Sequence, residues 1–141
     1  MLTELLPTER IRVPLGSHSR HALLRELVEM ALPDADPAIV ETVFQSVLSR
    51  EALASTAMGE GLAVPHGRLD AVGELRMAAG IVDAVDDYHA PDGVPVRACF
   101  LLLGVTLVGF LVARGIAGRG DRRARRPCLP AAVATILGGL A

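Results

Sequence analysis

The order of helical and strand-like segments leaves this chain few folds to choose from. "RIRVPL", with Ile11, Val13 and Leu15 on one face, alternates as a strand does. "SHSRHALLRELVEMAL" then places Leu23, Leu24, Leu27, Val28 and Ala31 at helical spacing, with Ser17 or Ser19 as N-cap and Pro33 as the stop. "DPAIVETVFQSVLSRE" starts a second helix: Asp36 caps it, Pro37 occupies the first turn, and Ile39, Val40, Val43, Phe44 and Val47 form its stripe. The small-residue stretch "ASTAMGEG" reads as a loop. "LAVP", "ELRMAAGIVD" and "VPVRACFLLL" read as strands, the last two separated by the turn signal "APDG". Helices and strands alternate without a strict βαβ rhythm. The expectation is an α/β domain whose mixed sheet is flanked by helices.

At 141 residues the chain is long enough for one domain with a substantial core. Only 3% of the residues are aromatic, so that core must be built from Leu, Val, Ile and Ala. The charge is unevenly placed. Residues 1–103 hold eight arginines against fifteen acids, and residues 104–141 hold six arginines against one, Asp121. An acidic body argues against nucleic acid as a partner. Cys99 and Cys128 form neither a CxxC pair nor a Cys/His cluster, so no disulfide framework or zinc site follows. "MLTELLPTER" is acidic and lacks a signal peptide's apolar stretch, which leads to the expectation of a cytoplasmic protein.

The chemistry concentrates in "GEGLAVPHGRLD". His66 follows an apolar strand and sits between Pro65, which fixes the backbone, and Gly67, which frees it. An imidazole so placed is a nucleophile and phosphoryl acceptor that works near neutral pH. A phosphoryl group needs cations and donors beside it. Arg50 and Arg68 are the nearest arginines in sequence, Ser55 and Thr56 offer hydroxyls, and Gly59, Gly61 and Gly67 allow close approach of backbone. The plain alternative is a surface histidine in a turn. Other residues invite plain readings too: His18 and His21 as an exposed pair, His89 as a surface turn, Cys99 as core, and Met30, Met58 and Met77 as packing.

"SREALASTAMGEGLAVPHGRLD" resembles the active-site signature of the fructose/mannitol-type enzyme IIA domains of the bacterial phosphotransferase system, R-E-x-x-x-S-T-x-x-G-x-G-x-A-x-P-H-G. Arg50, Glu51, Ser55, Thr56, Gly59, Gly61, Ala63, Pro65, His66 and Gly67 all match. "LLPTERIRVPLGSHSRHALLRELVEMA" is similar to the family's opening strand and helix, and "DDYHAPDGVPVRACFLLL" to its A-P-D-G-x-P-V segment and following strand. The resemblance covers roughly residues 2–103. It implies a phosphocarrier whose histidine, here His66, accepts a phosphoryl group from phospho-HPr and passes it to a IIB domain for sugar uptake. In nitrogen-type members it implies instead a regulatory module, switched by phosphorylation, that binds a target protein. It implies that no metal or nucleotide cofactor binds at the histidine. Arg50 is expected to neutralise the phosphate and Glu60 to orient its neighbours.

Family members continue with a helix carrying a second histidine, and this chain has none after His89. An inactive remnant is therefore a third expectation. Residues 1–103 read as a C-terminally incomplete enzyme IIA domain and 104–141 as an atypical apolar, Arg-rich tail. Ala98–Ala113 lacks charge for sixteen residues, just short of a membrane span, and its start inside a strand argues against membrane contact. The tail is built largely from Ala, Gly, Leu, Val, Arg and Pro, and the resemblance stops at Leu103–Gly104. This leads to the expectation of a frameshift. Translating the other two frames past codon 103 tests it: a histidine followed by a Leu-rich amphipathic helix is expected, and stop codons in both would refute it.

Overall fold

The computed structural model describes residues 2–69 and 74–104. Residues 104–141, read above as a tail, lie outside the described residues save for Gly104. Within them the chain forms a mixed six-stranded sheet with two long helices packed on it. A short helix, α1 (Leu2–Leu5), and a 3₁₀ turn (Thr8–Arg10) lead into strand β1 (Ile11–Arg12). Helices α2 (Arg20–Ala31) and α3 (Pro37–Leu53) follow. Next come three strand fragments, β2 (Ala57–Gly59), β3 (Leu62–Ala63) and β4 (His66–Arg68). Two long strands close the domain: β5 (Arg76–Val85) and β6 (Val96–Gly104), joined through a 3₁₀ turn (Asp86–Tyr88).

Both long helices begin as the sequence dictates. The Ser19 hydroxyl accepts the Ala22 N–H, and the Asp36 carboxylate accepts the Ala38 N–H at 2.8 Å with Pro37 in the first turn. Ser17, the other cap considered, instead donates its hydroxyl to Glu26 at 2.5 Å. The apolar face of α2, from Leu23 through Ala31, is buried. On α3, Val43, Phe44 and Val47 are buried, while Ile39 and Val40 pack on the core's margin.

The sheet is organised around β6. β5 lies antiparallel along one side of it, from Arg76 opposite Leu103 to Val85 opposite Val96. Along the other side, β3 and then β4 run parallel to it, with Leu62 opposite Ala98 and His66 opposite Leu102. β1 extends the sheet beyond β5, and β2 extends it beyond β3. Val96, Cys99, Leu101 and Leu103 of β6 are fully buried and meet the helices' stripes. Ala98–Gly104, the start of the uncharged run, belongs to this strand. Among the described residues, no helix is long and apolar enough to cross a membrane.

Three local readings change. The first strand is only two residues long, and Ile11 and Val13 are exposed while Leu15 alone turns inward. The regular ladder ends at Arg12; Pro14 has no N–H to continue it, and Leu15 rejoins β5 by donating its N–H to the Ile81 carbonyl at 2.7 Å. "ASTAMGEG" is not all loop, because Ala57–Gly59 pairs with β3. "LAVP" contributes only Leu62 and Ala63 to a strand, and pairing resumes at His66.

Gly80 on β5 shows how closely β1 is packed. A Cβ there would overlap the Leu15 side chain and lie 2.9 Å from the Arg12 carbonyl oxygen. Gly80→Ala is therefore expected to lower stability by about 1–3 kcal/mol, the range for an overfilled core. Urea unfolding checks this. In a Leu15→Ala background the added cost of Gly80→Ala should shrink but not vanish, because the Arg12 backbone cannot rotate away.

Candidate functional site

His66 opens β4, an outer fragment held to the sheet by β6. The Leu102 N–H donates to the Pro65 carbonyl at 3.0 Å, which fixes the backbone just before the imidazole. The next residue fixes it from the other side. A Cβ on Gly67 would lie 2.5 Å from Val47 Cγ2 and 3.3 Å from the Val47 backbone nitrogen. Gly67 thus serves close packing of β4 on α3. The Arg68 N–H donates to the Ser46 hydroxyl at 3.1 Å and adds a second tie to α3. Successive side chains on a strand point to opposite faces, so the imidazole leaves β4 on the side away from Val47.

His66 is 4% exposed, so it is not a surface turn residue. Its two ring nitrogens have different partners. Arg50 Nε donates to Nε2 at 2.9 Å, which makes Nε2 an acceptor. The proton therefore resides on Nδ1, which lies 3.2 Å from the Val64 carbonyl oxygen and donates to it. Burial holds the imidazole's pKa below the ordinary histidine value of 6.5, the Arg50 charge pushes it the same way, and the Val64 carbonyl opposes them. The ring is neutral at pH 7, with its lone pair on Nε2 under a guanidinium. Arg50 is held at a second point, since its Nη1 donates to the Ala54 carbonyl at 3.1 Å.

The other candidates divide. Thr56 is buried and its hydroxyl donates to Glu51 at 2.6 Å; Ser55 donates to the Tyr88 carbonyl at 2.9 Å and accepts the Ala57 N–H. Both hydroxyls thus hold the loop after α3. Gly59 and Gly61 have φ of +90° and +77°, the left-handed region glycine favours, on either side of Glu60 at +54°. Glu60 is exposed, and its backbone N–H donates to Asp92 at 2.6 Å. The Gly61 carbonyl accepts from Arg97 and Ala98. This turn therefore joins the hairpin to β6. Arg68 is exposed at the end of β4.

Two residues of the matched segments, to which the sequence reading gave no role, shape this neighbourhood. Asp92, within "APDG", accepts from both Glu60 and Val94. Glu51 is buried and accepts from Thr56 through both carboxylate oxygens. An acid inside the apolar end of a helix, five residues before a threonine, was the available signal for the second. His18, His21 and His89 are exposed, His21 lying edge-on to Phe44, and Cys99 is buried, as expected.

A mixed sheet whose outer fragment β4 carries a histidine bonded to an arginine of α3 is the frame of this site. Residues 4–106 match the family described as "Phosphoenolpyruvate-dependent sugar phosphotransferase system, EIIA 2", and the chain belongs to that family. It is 38% identical over 94 residues to a nitrogen regulatory protein of Pseudomonas aeruginosa, covering 66% of this chain and 59% of that relative. It is 34% identical over 102 residues to one of Bradyrhizobium diazoefficiens, covering 72% and 66% respectively. The chain thus spans less than two thirds of the length of these relatives. In fold it is similar to the crystal structure of nitrogen regulatory protein IIA-Ntr from Neisseria meningitidis, with a TM-score of 0.69, 28% identity, and coverage of 96% of this chain and 98% of that one.

The His66 environment carries a pH dependence with a definite sign. The unfolded chain binds the proton near 6.5 and the folded chain only lower, so acid favours unfolding. This stabilisation is complete above 6.5 and is lost as the pH falls through the depressed folded value. The expected outcome is a steeper decline of the unfolding midpoint below about pH 6.5 in the native chain than in His66→Gln. Parallel slopes would refute it.

Proposed function

We propose that the chain accepts a phosphoryl group on His66 Nε2. The observation that carries this reading is the neutral, Nδ1-protonated imidazole beneath Arg50. The Nε2 lone pair attacks phosphorus in line, and the new N–P bond forms as the donor's N–P bond breaks. The donor imidazole leaves with that electron pair. No proton has to move. Nδ1–H stays on the Val64 carbonyl, which stabilises the positive charge the ring acquires. Arg50 yields its contact with the nitrogen and pairs with the phosphoryl oxygens, a charge-assisted arrangement suited to a guanidinium. The family's donor, phospho-HPr, supplies the group, and the setting is cytoplasmic.

The next acceptor is a IIB domain in the sugar-transporting reading and a regulatory target in the nitrogen-type reading. The likeness to nitrogen regulatory proteins supports the second. Under it, phosphorylation of His66 changes which protein the domain binds. Pull-downs with His66→Asp and His66→Ala separate the readings, and identical partner sets from the two forms would count against a switch.

Incubation with enzyme I, HPr and phosphoenolpyruvate is expected to add one acid-labile phosphate, abolished by His66→Ala. Arg50→Ala should slow uptake roughly 10²–10³-fold, the scale for losing one electrostatic stabiliser. Labelling that survives His66→Ala would sink the assignment. An intact chain that takes up no label, beside one that does so when given a family-like C-terminal half, would identify the chain as the inactive remnant.

A further inference from the structure

Arg50 and Glu51 are neighbours on α3 with opposite fates. Arg50 reaches His66. Glu51 turns inward and is 4% exposed. Its Oε1 accepts the Thr56 N–H at 2.8 Å and its Oε2 accepts the Thr56 hydroxyl at 2.6 Å. The Tyr88 hydroxyl lies 3.3 Å from Thr56 Oγ1 and completes the cluster with Cys99. Burial holds the Tyr88 and Cys99 protons on, and the Glu51 charge adds to the effect. Among the described residues, no cation lies within ion-pair distance of Glu51.

A buried carboxylate without a cation is a costly way to fill space. What it achieves here is a staple. Glu51 binds both donors of Thr56, five positions on, and Ser55 pins the same loop to the Tyr88 carbonyl at 2.9 Å. Inside this loop lies Ala54, whose carbonyl holds Arg50 Nη1 while Arg50 Nε points at His66 Nε2. The guanidinium is thus aimed by a carbonyl whose own position depends on the Glu51–Thr56 contact.

We propose that Glu51 is a positioning residue for phosphoryl transfer, acting through Thr56 and the Ala54 carbonyl to hold Arg50 on His66. This rests on the phosphoryl-acceptor reading above. Glutamine should largely replace it: its carbonyl can accept the Thr56 N–H while its amide donates to a Thr56 hydroxyl turned towards Tyr88. Leucine fills the volume and offers neither bond.

Two readouts test this: the NMR titration of the His66 ring, and the initial rate of phosphoryl uptake from phospho-HPr. Arg50→Ala, which removes the guanidinium, should move the titration of His66 upwards and gives the reference direction. Glu51→Leu, with its fold checked by methyl spectra, should move it the same way. It should also slow uptake roughly a hundredfold, as misplacement of a catalytic group does, with KM for phospho-HPr little changed. Glu51→Gln should stay near the native chain in both. A folded Glu51→Leu with native titration and native rate overturns the proposal. If Glu51→Leu does not fold, Glu51→Met, which keeps an unbranched side chain of similar length and accepts neither bond, decides by the same two readouts, with native values again overturning it. If the native chain takes up no phosphate, the acceptor reading fails, and the titrations still decide whether Glu51 positions Arg50.

Discussion

β6 is the strand on which the rest of this domain is registered. β5 pairs with it from Arg76 to Ile81 and again at Val85 on one side, and β3 and β4 share the other. Strand fragments of two or three residues contribute few ladder bonds and cannot hold a place alone. They are held here because β6 is anchored from below by Val96, Cys99, Leu101 and Leu103, buried against the helices. The ties are specific: Gly61 accepts from Arg97 and Ala98, and Pro65 accepts from Leu102. His66 therefore inherits its position from a core strand 36 residues later in the chain.

Two titratable groups of this region are buried, and their hydrogen-bond partners differ. His66 is kept neutral, because desolvation and a neighbouring guanidinium both disfavour the imidazolium. Glu51 sits where both oxygens meet donors, so its burial is offset by hydrogen bonds with no countercharge. Arg50 lies between them in function, though beside Glu51 in sequence. Adjacent residues on a helix diverge by about 100°, which lets one side chain serve the sheet's edge and the next serve the core.

The helices were legible because their signals are local. Ser19, Asp36 and Pro37 mark the starts, and the apolar spacing marks the buried faces. β5 and β6 were legible as long apolar runs bounded by a turn. The fragments were not. β2 lies in a stretch of small residues whose pairing depends on a hairpin turn at Glu60 and on Asp92, more than thirty residues away. Ile11 and Val13 alternate like a buried strand and yet are exposed, since β1 is a two-residue strand at the sheet's edge. His66, Arg50 and their motif stood out in the sequence, but the partners of the hydroxyls did not. Ser55 and Thr56 look like phosphate donors in a list of residue types, and only their contacts with Tyr88 and Glu51 reveal a loop being stapled.

The Arg50–His66 contact has two consequences that pull in opposite directions. As long as Arg50 donates to Nε2, it keeps the proton off that nitrogen and so preserves a nucleophile at neutral pH. The same hydrogen bond occupies the lone pair that would attack phosphorus. On the phosphoryl-acceptor reading, the incoming group resolves the conflict through its own charge. A dianionic phosphoryl group is a far better partner for a guanidinium than a neutral imidazole nitrogen is, so its arrival draws Arg50 from the nitrogen to the oxygens. The residue that depressed the imidazole's basicity then favours the charged product. The Val64 carbonyl faces no such exchange, since Nδ1–H remains its partner before and after transfer. One side of the ring is therefore fixed and the other responsive, an asymmetry suited to a group that must be taken up and passed on.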